Sequence, residues 1–445
     1  MRLKLLAALA AAAPFVAHAT DGYFSHGYGL VAKGMGGASL AVTGSAFGAA
    51  NNPATMAFTG NTFEAGVDLF SPRRKAERTG APDFAGLNGN ADSDSNYFAI
   101  PELAYNRAFR PDMTWGITVY GNGGMNTDYP GGQLASPGAC GPATGPGTGF
   151  NPAPGPYNLL CGNGSLGVDL SQLIVAPSFA WKIAPEHAIG IAPLFAYQRF
   201  KAEGLQAFAG LSTDPGNLTN RGYDNSTGWG VRVGYYGRIT PQLALGVSYT
   251  SKMSMSEFDK YRGLFAESGG FDIPSHYGVG LSFEPNPQTQ IALDWERINY
   301  SDAASVNNAS ALILQCAGGN PNACLGGSNG AGFGWRDIDV FKLGVQYQLD
   351  SRLTVRAGYN YSQNPIRSQD VTFNILAPGV VQHHVTGGAT WSLDSSSFLT
   401  VAAMYAFDND VTGPSVFNAF APGLAMQEKI SMHEFSAGVQ YQKRF

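Results

Sequence analysis

Apolar and polar side chains alternate with a period of two along much of the chain, most cleanly in its second half, and this predicts β-strands with one apolar face. From Asp337 to Leu349, Phe341, Leu343, Val345, Tyr347 and Leu349 fall on one face, and Lys342, Gly344, Gln346 and Gln348 on the other. In the next segment Leu353, Val355, Ala357, Tyr359 and Tyr361 stand against Arg352, Thr354, Arg356 and Asn360. Only residues 348–352 lie between them, which predicts a hairpin. The same test places strands near 62–70, 96–107, 112–120, 170–182, 187–200, 225–238, 242–252, 275–285, 288–298, 337–349, 351–362, 381–393, 395–407 and 433–445, fourteen in all. Most are about ten residues long, the length that crosses a bilayer when tilted.

After the first strand the connections alternate between long and short. Long stretches such as 121–169, 201–224 and 299–336 interleave with turns such as Arg110-Pro111, Thr240-Pro241 and Asp350-Ser351. Long loops outside and tight turns in the periplasm are the arrangement of an outer-membrane barrel, and an even strand count puts both termini in the periplasm. A soluble sandwich or propeller also alternates. Against it stand the bilayer-wide apolar faces, the export signal described below, and an ending of Phe435, Val439, Tyr441 and Phe445, which resembles the recognition signal read by the barrel-insertion machinery. The expected fold is an all-β, fourteen-stranded antiparallel transmembrane barrel surrounded by outer-membrane lipid.

Met1-Arg-Leu-Lys, an apolar stretch from Leu5 to Val16 and Ala17-His18-Ala19 follow the order of a secretory signal peptide, so residues 1–19 are expected to be removed. The stretch is shorter than the roughly 20 residues of a spanning helix, and no later apolar run is that long. Charged residues are 13% of the chain, about half the roughly 25% of a soluble domain. Net charge is −5 and the 27 basic residues form no dense stripe, so nucleic-acid binding has no support. In an oxidising compartment the four cysteines predict loop disulfides, and proximity favours Cys140 with Cys161 and Cys316 with Cys324. Zinc is disfavoured because the spacings lack the paired signature and no histidine lies near either pair.

Residues 20–61 do not alternate and are rich in Gly and Ala, while a fourteen-stranded barrel would have a lumen wide enough to leak water. A plug in the lumen is expected, with 62–445 as the barrel. The segment reads Tyr28-Gly-Leu-Val-Ala-Lys-Gly-Met-Gly-Gly-Ala-Ser-Leu-Ala and then Asn51-Asn52-Pro53-Ala54. It resembles the hatch of the FadL family of outer-membrane long-chain fatty acid transporters, in which a Gly-rich stretch precedes an Asn-Pro-Ala motif. The resemblance extends through Trp115-Gly116, Trp229-Gly230, Tyr249-Thr250-Ser251, Ile273-Pro274 and Arg336-Asp337.

This resemblance implies a ligand route from an outer groove to an apolar pocket and sideways through a gap in the wall, made by a kink in the third strand. Gly121, Asn122, Gly123 and Gly124 match the kink, and Asn52, Pro53 and Ala54 are expected to shape the inner side of the opening. Three glycines in four residues also fit an ordinary loop start. A fatty-acid carboxylate needs a basic or hydrogen-bonding partner when buried. Arg336 matches the family's basic position, whereas the second such position has no clear counterpart; a rim arginine facing water is the competing reading.

Other motifs carry less. Gly326-Gly327-Ser328-Asn329-Gly330 matches G-x-S-x-G but sits in a glycine-rich loop without the strand-to-helix turn or the histidine and acid that such a nucleophile needs. His383 and His384 are adjacent on a strand and point to opposite faces, so they cannot chelate one metal together. Asp294 and Glu296 lie two apart on the predicted lumen face, where polar lining is the expected role. No catalytic site, metal or cofactor is expected, and an enzyme is not. The expected activity is passive uptake of hydrophobic small molecules, long-chain fatty acids first, with aromatic or aliphatic hydrocarbons by the same route as the alternative.

Overall fold

Strands in lipid must pair every backbone group, so a sheet that crosses a membrane has to close on itself. The computed structural model describes residues 20–134, 140, 151, 155–420 and 423–445; the expected signal peptide lies outside them. Its fourteen long strands are β1 (Thr62–Thr79), β2 (Phe98–Ala108), β3 (Met113–Asn126), β4 (Gly167–Ala184), β5 (His187–Glu203), β6 (Asp224–Thr240), β7 (Leu243–Thr250), β8 (His276–Asn286), β9 (Thr289–Ile298), β10 (Ile338–Gln348), β11 (Leu353–Ser362), β12 (His383–Ser392), β13 (Ser397–Pro414) and β14 (Gln427–Arg444). Each pairs antiparallel with the next, and β14 pairs with β1 from Arg444–Thr62 to Gln427–Thr79, so the barrel is closed.

The apolar rows face outward. Leu69, Phe179, Phe195, Leu293, Phe341 and Phe435 are all at least half exposed, as side chains in lipid must be. Aromatic residues flank this belt at two levels: Trp115, Trp181, Tyr347, Trp391 and Tyr441 near the tight turns, and Trp229, Tyr249, Tyr277 and Tyr359 toward the long loops. No helix among the described residues is long and apolar enough to cross a membrane.

Several strands continue past the lengths that alternation predicts. β1 runs to Thr79, β3 to Asn126 and β13 to Pro414, while β4 begins at Gly167 and β14 at Gln427. Beyond the belt the outward face meets water, so Arg73, Lys75 and Glu77 on β1 and Lys429 on β14 replace apolar residues and the two-residue period fades while the ladder persists.

Over the outer mouth the loops build a core of their own. Phe258, Tyr261, Phe265, Phe271, Trp335 and Phe417 are buried in one cluster with Phe200 of β5. Disulfides join Cys140 to Cys161 and Cys316 to Cys324 in these loops.

Candidate functional site: a gap in the barrel wall

Residues 20–61 lie inside the barrel and are held by the inward rows of many strands. Lys33 is one of only two Asp, Glu, Lys or Arg residues in this stretch, and its Nζ sits 2.8 Å from Asp68 of β1 and 4.0 Å from Glu102 of β2. The other, Asp21, lies 4.0 Å from Lys342 of β10, which also binds Glu296 of β9 at 2.6 Å. Asp294 accepts from the amides of Ser39 (2.7 Å) and Leu40 (2.9 Å), Glu64 from the amide of Ala46 (2.9 Å), and Gln440 from that of Leu30 (2.9 Å). Asp294 and Glu296 thus anchor the inner segment or its partner lysine, a more specific task than lining a wet lumen. Backbone amides that a non-repetitive segment cannot pair internally are taken up by strand side chains.

Asn52, Pro53 and Ala54 open a short 3-10 helix, Pro53–Phe58. The Asn52 carboxamide donates to Leu40 O (2.8 Å) and Tyr235 O (2.9 Å), and its Oδ1 accepts from the Ala54 amide. The motif packs closely on β5 and β6: a Cβ on Gly234 would stand 2.0 Å from Asn52 Oδ1. Among the described contacts none joins these three residues to 121–124.

Gly121 to Gly124 lie within β3, not in a loop. The β3–β4 register shifts between Gly121 and Gly123, leaving Asn122 as the extra residue of a bulge. On the other side, the β2–β3 ladder ends at Leu103–Val119, although β2 extends back to Phe98 and β3 on to Asn126. The wall therefore has a gap five residues long on β2, roughly 17 Å at the usual strand rise.

The inner segment fills the missing place in the ladder. Phe24 bridges Gly123, the Ser25 amide donates to Asn122 O (3.2 Å) and the Gly124 amide to Tyr23 O (3.1 Å). A Cβ at position 123 would lie 1.8 Å from Tyr23 O, so this pairing demands glycine. The Asn122 side chain accepts from Tyr28 Oη (2.9 Å) and donates to Gln172 (2.9 Å), fixing the bulge.

From the gap an aromatic path leads outward. Tyr23 contacts Tyr300 and Trp335 at 5.4 and 5.9 Å between ring centroids, and Phe271 at 6.3 Å; Phe271 contacts Phe265 at 4.9 Å. Phe265 borders an apolar cavity of about 40 Å³ under the loops, lined with Phe200, Phe208, Phe333, Phe373 and five leucines. Its lone hydroxyl, Ser305 Oγ, donates to Gly270 O, and no Lys, Arg or His lines it. At that volume the cavity is far smaller than a hydrocarbon cargo, so entry requires the phenylalanines to move.

Arg336 is exposed, with Nε and Nη2 donating to Asn364 O at 3.1 and 3.0 Å. The structure does not bring it to the cavity, because it precedes β10 on the outer surface. Tyr23, Phe24 and Ser25, which occupy the gap, were not singled out by the sequence; their signal is a pair of aromatics in an otherwise small-residue stretch.

The sequence model of a family described as outer membrane protein transport protein (OMPP1/FadL/TodX) matches residues 158–445. No curated protein matches the sequence. Among solved structures, the chain is similar to the toluene transporter TodX of Pseudomonas putida (18% identity, 94% of this chain and 99% of that one, TM-score 0.63). It is also similar to the toluene transporter TbuX of Ralstonia pickettii (17%, 94% and 99%, 0.61) and to a FadL homologue of Pseudomonas aeruginosa (13%, 95% and 100%, 0.67). At these identities the likeness is one of fold.

Proposed function

Since this chain belongs to the OMPP1/FadL/TodX family, and is thus a transporter of hydrophobic compounds in the bacterial outer membrane, we propose that its cargo is an uncharged hydrocarbon that leaves sideways through the β2–β3 gap. In this reading residues 20–61 act as the hatch, and Tyr23 to Ser25 form its movable edge. The observation that carries the exit is the ladder that stops at Leu103–Val119 and borrows its next partners from Tyr23 to Ser25. Release into the periplasm would re-expose each CH₂ of the cargo at about 0.8 kcal/mol, whereas release into lipid keeps it buried.

The cavity lining favours hydrocarbons over fatty acids. A carboxylate enclosed there would find no cation and no free hydroxyl, and burying it unpaired is costly. Arg336 faces away, so it does not supply that partner.

The glycines are poor places to test the exit, since a side chain at Gly123 would expel Tyr23 rather than close the wall. Ser25 and Asn122 are paired across the gap, so Ser25→Cys with Asn122→Cys is suited to a disulfide. Oxidised, this variant should insert normally but stop taking up radiolabelled toluene, and a reductant that leaves the parent's uptake unchanged should restore it. Normal uptake by the oxidised form would mean that cargo does not pass between these strands.

A further inference from the structure

We propose that Arg74 latches the outer end of the β2–β3 gap and that Glu434 is its second resting place, taken when the gap widens. The inference rests on the sideways exit proposed above. Arg74 is a positioning residue in this account; it touches the frame of the opening.

Arg74 lies on the inward row of β1 and is 6% exposed. Its guanidinium reaches past β2 and spans the place where the ladder is missing: Nη1 donates to Asn126 O at the end of β3, and Nη2 to Ser95 O just before β2. The Arg74 carbonyl accepts from the Ser93 amide at 2.9 Å. The Asp94 amide donates to Asp128 O (2.8 Å), and the Asp128 amide to Ser93 Oγ (3.0 Å). These bonds close the gap above, as the Leu103–Val119 pair closes it below. Among them Arg74 supplies the side chain that grips both strands' continuations at once, with the Phe98 ring 5.8 Å from its guanidinium carbon.

Glu434 belongs to the adjoining strand, β14. Pro72 pairs with Glu434 and Arg74 with Met432, so both side chains face inward one step apart on the diagonal. Such diagonal neighbours lie within reach of a long side chain. Glu434 is fully buried, and neither of its carboxylate oxygens has a hydrogen-bond partner; Arg74 Nε has none either. No ion pair among the described residues includes Glu434, whereas inward carboxylates such as Asp68, Asp294 and Glu296 are paired or accept amides.

A buried carboxylate without a partner is strongly disfavoured, and a planar guanidinium is the group that satisfies one in two-pronged fashion. Arg74 therefore has two sets of acceptors on opposite sides of β1, two backbone carbonyls across the gap and the two oxygens of Glu434, and turning its terminal nitrogens to one set takes them from the other. Moving to Glu434 releases Asn126 and Ser95 and frees the outer edge of the opening. Cargo wedged behind Tyr23 would favour that position, since it gains from a wider gap and the arginine keeps its hydrogen bonds throughout.

The test uses full-length protein with two labelled cargoes, toluene and the four-ring hydrocarbon pyrene, in Arg74→Met, Glu434→Gln and the double variant. Without its second resting place Arg74 stays latched, so Glu434→Gln should slow pyrene uptake about tenfold, the size of one charge-assisted hydrogen bond, and toluene less. Arg74→Met should raise the pyrene-to-toluene ratio, and the double variant should behave like Arg74→Met alone because Glu434 acts through the arginine. Arg74→Lys, a point donor that cannot span both carbonyls, gives a second measure and should also raise the ratio. An unchanged rate in Glu434→Gln, a double variant as slow as Glu434→Gln, or arginine variants that alter both cargoes equally would overturn the latch. If the Ser25–Asn122 crosslink arrests transport while these ratios stay flat, the latch alone fails. If the crosslink does not arrest it, the sideways exit fails and the latch with it.

Discussion

The wall from β8 to β12 and the wall from β1 to β4 are made of the same alternating sequence, yet they are held together differently. Between β9 and β10 every residue from Thr289 to Ile298 has a cross-strand partner, and the β10–β11 and β11–β12 ladders continue without a shift. Between β2 and β3 the ladder has six pairs and then stops, although both strands go on. From β9 to β12 the first wall is complete in itself. The second is completed by Tyr23 to Ser25 from the inner segment, with the Arg74 side chain of β1 bonded across the outer end of the gap. On the proposed exit route, the barrel opens where part of its hydrogen bonding is left to a segment that is not part of the wall.

Three substitutions separate the two regions. The largest effect is expected for Lys33→Met, which leaves Asp68 and Glu102 buried without their cation. Breaking such a pair costs about 3–5 kcal/mol, and here the loss falls on docking of the inner segment. A cysteine at buried Ser39 should then react with a bulky maleimide while the barrel keeps its heat-modifiable mobility; equally slow labelling with and without Lys33 would show that the ion pair does not hold the segment. Next is Leu343→Arg on the lipid face of β10, a position 40% exposed to the membrane. A charge at mid-bilayer costs about 2–4 kcal/mol, to be read as a lower denaturant midpoint with Ser39 labelling unchanged. Smallest is Arg336→Gln: an exposed side chain bonded to one carbonyl should change stability by no more than about 0.5 kcal/mol and leave uptake as it was. Lost uptake would return Arg336 to the ligand path.

Strand number, order and inward or outward row were legible in the sequence because membrane and lumen impose opposite polarity on successive residues. Alternation alone assigns Phe341 and Lys342 to opposite faces, and the structure places them so. Strand ends were not legible where the outer face meets water: in Ser71 to Thr79 both rows can be polar, so the period vanishes while the backbone goes on pairing. The inner segment gave still less. Its lack of alternation and its Gly and Ala content pointed to something inside the barrel, but which strands it touches depends on contacts between residues hundreds of positions apart, such as Leu30 with Gln440.

The same limit governs the site. Glycines at 121, 123 and 124 fitted either a bend or a loop start, since both tolerate what only a small residue allows, and the family resemblance favoured the bend. That Tyr23 is what approaches, that Asn52 packs on β6 instead of the opening, and that Arg336 looks outward are outcomes of closing the ring. The sequence by itself determined a barrel and its faces, because polarity acts within a few residues, while a kink in the third strand was what the family resemblance implied. Only the tertiary structure decided what fills the missing place in the β2–β3 ladder and which carbonyls Arg74 reaches, because a buried ion or amide takes whatever partner the closed barrel brings to it.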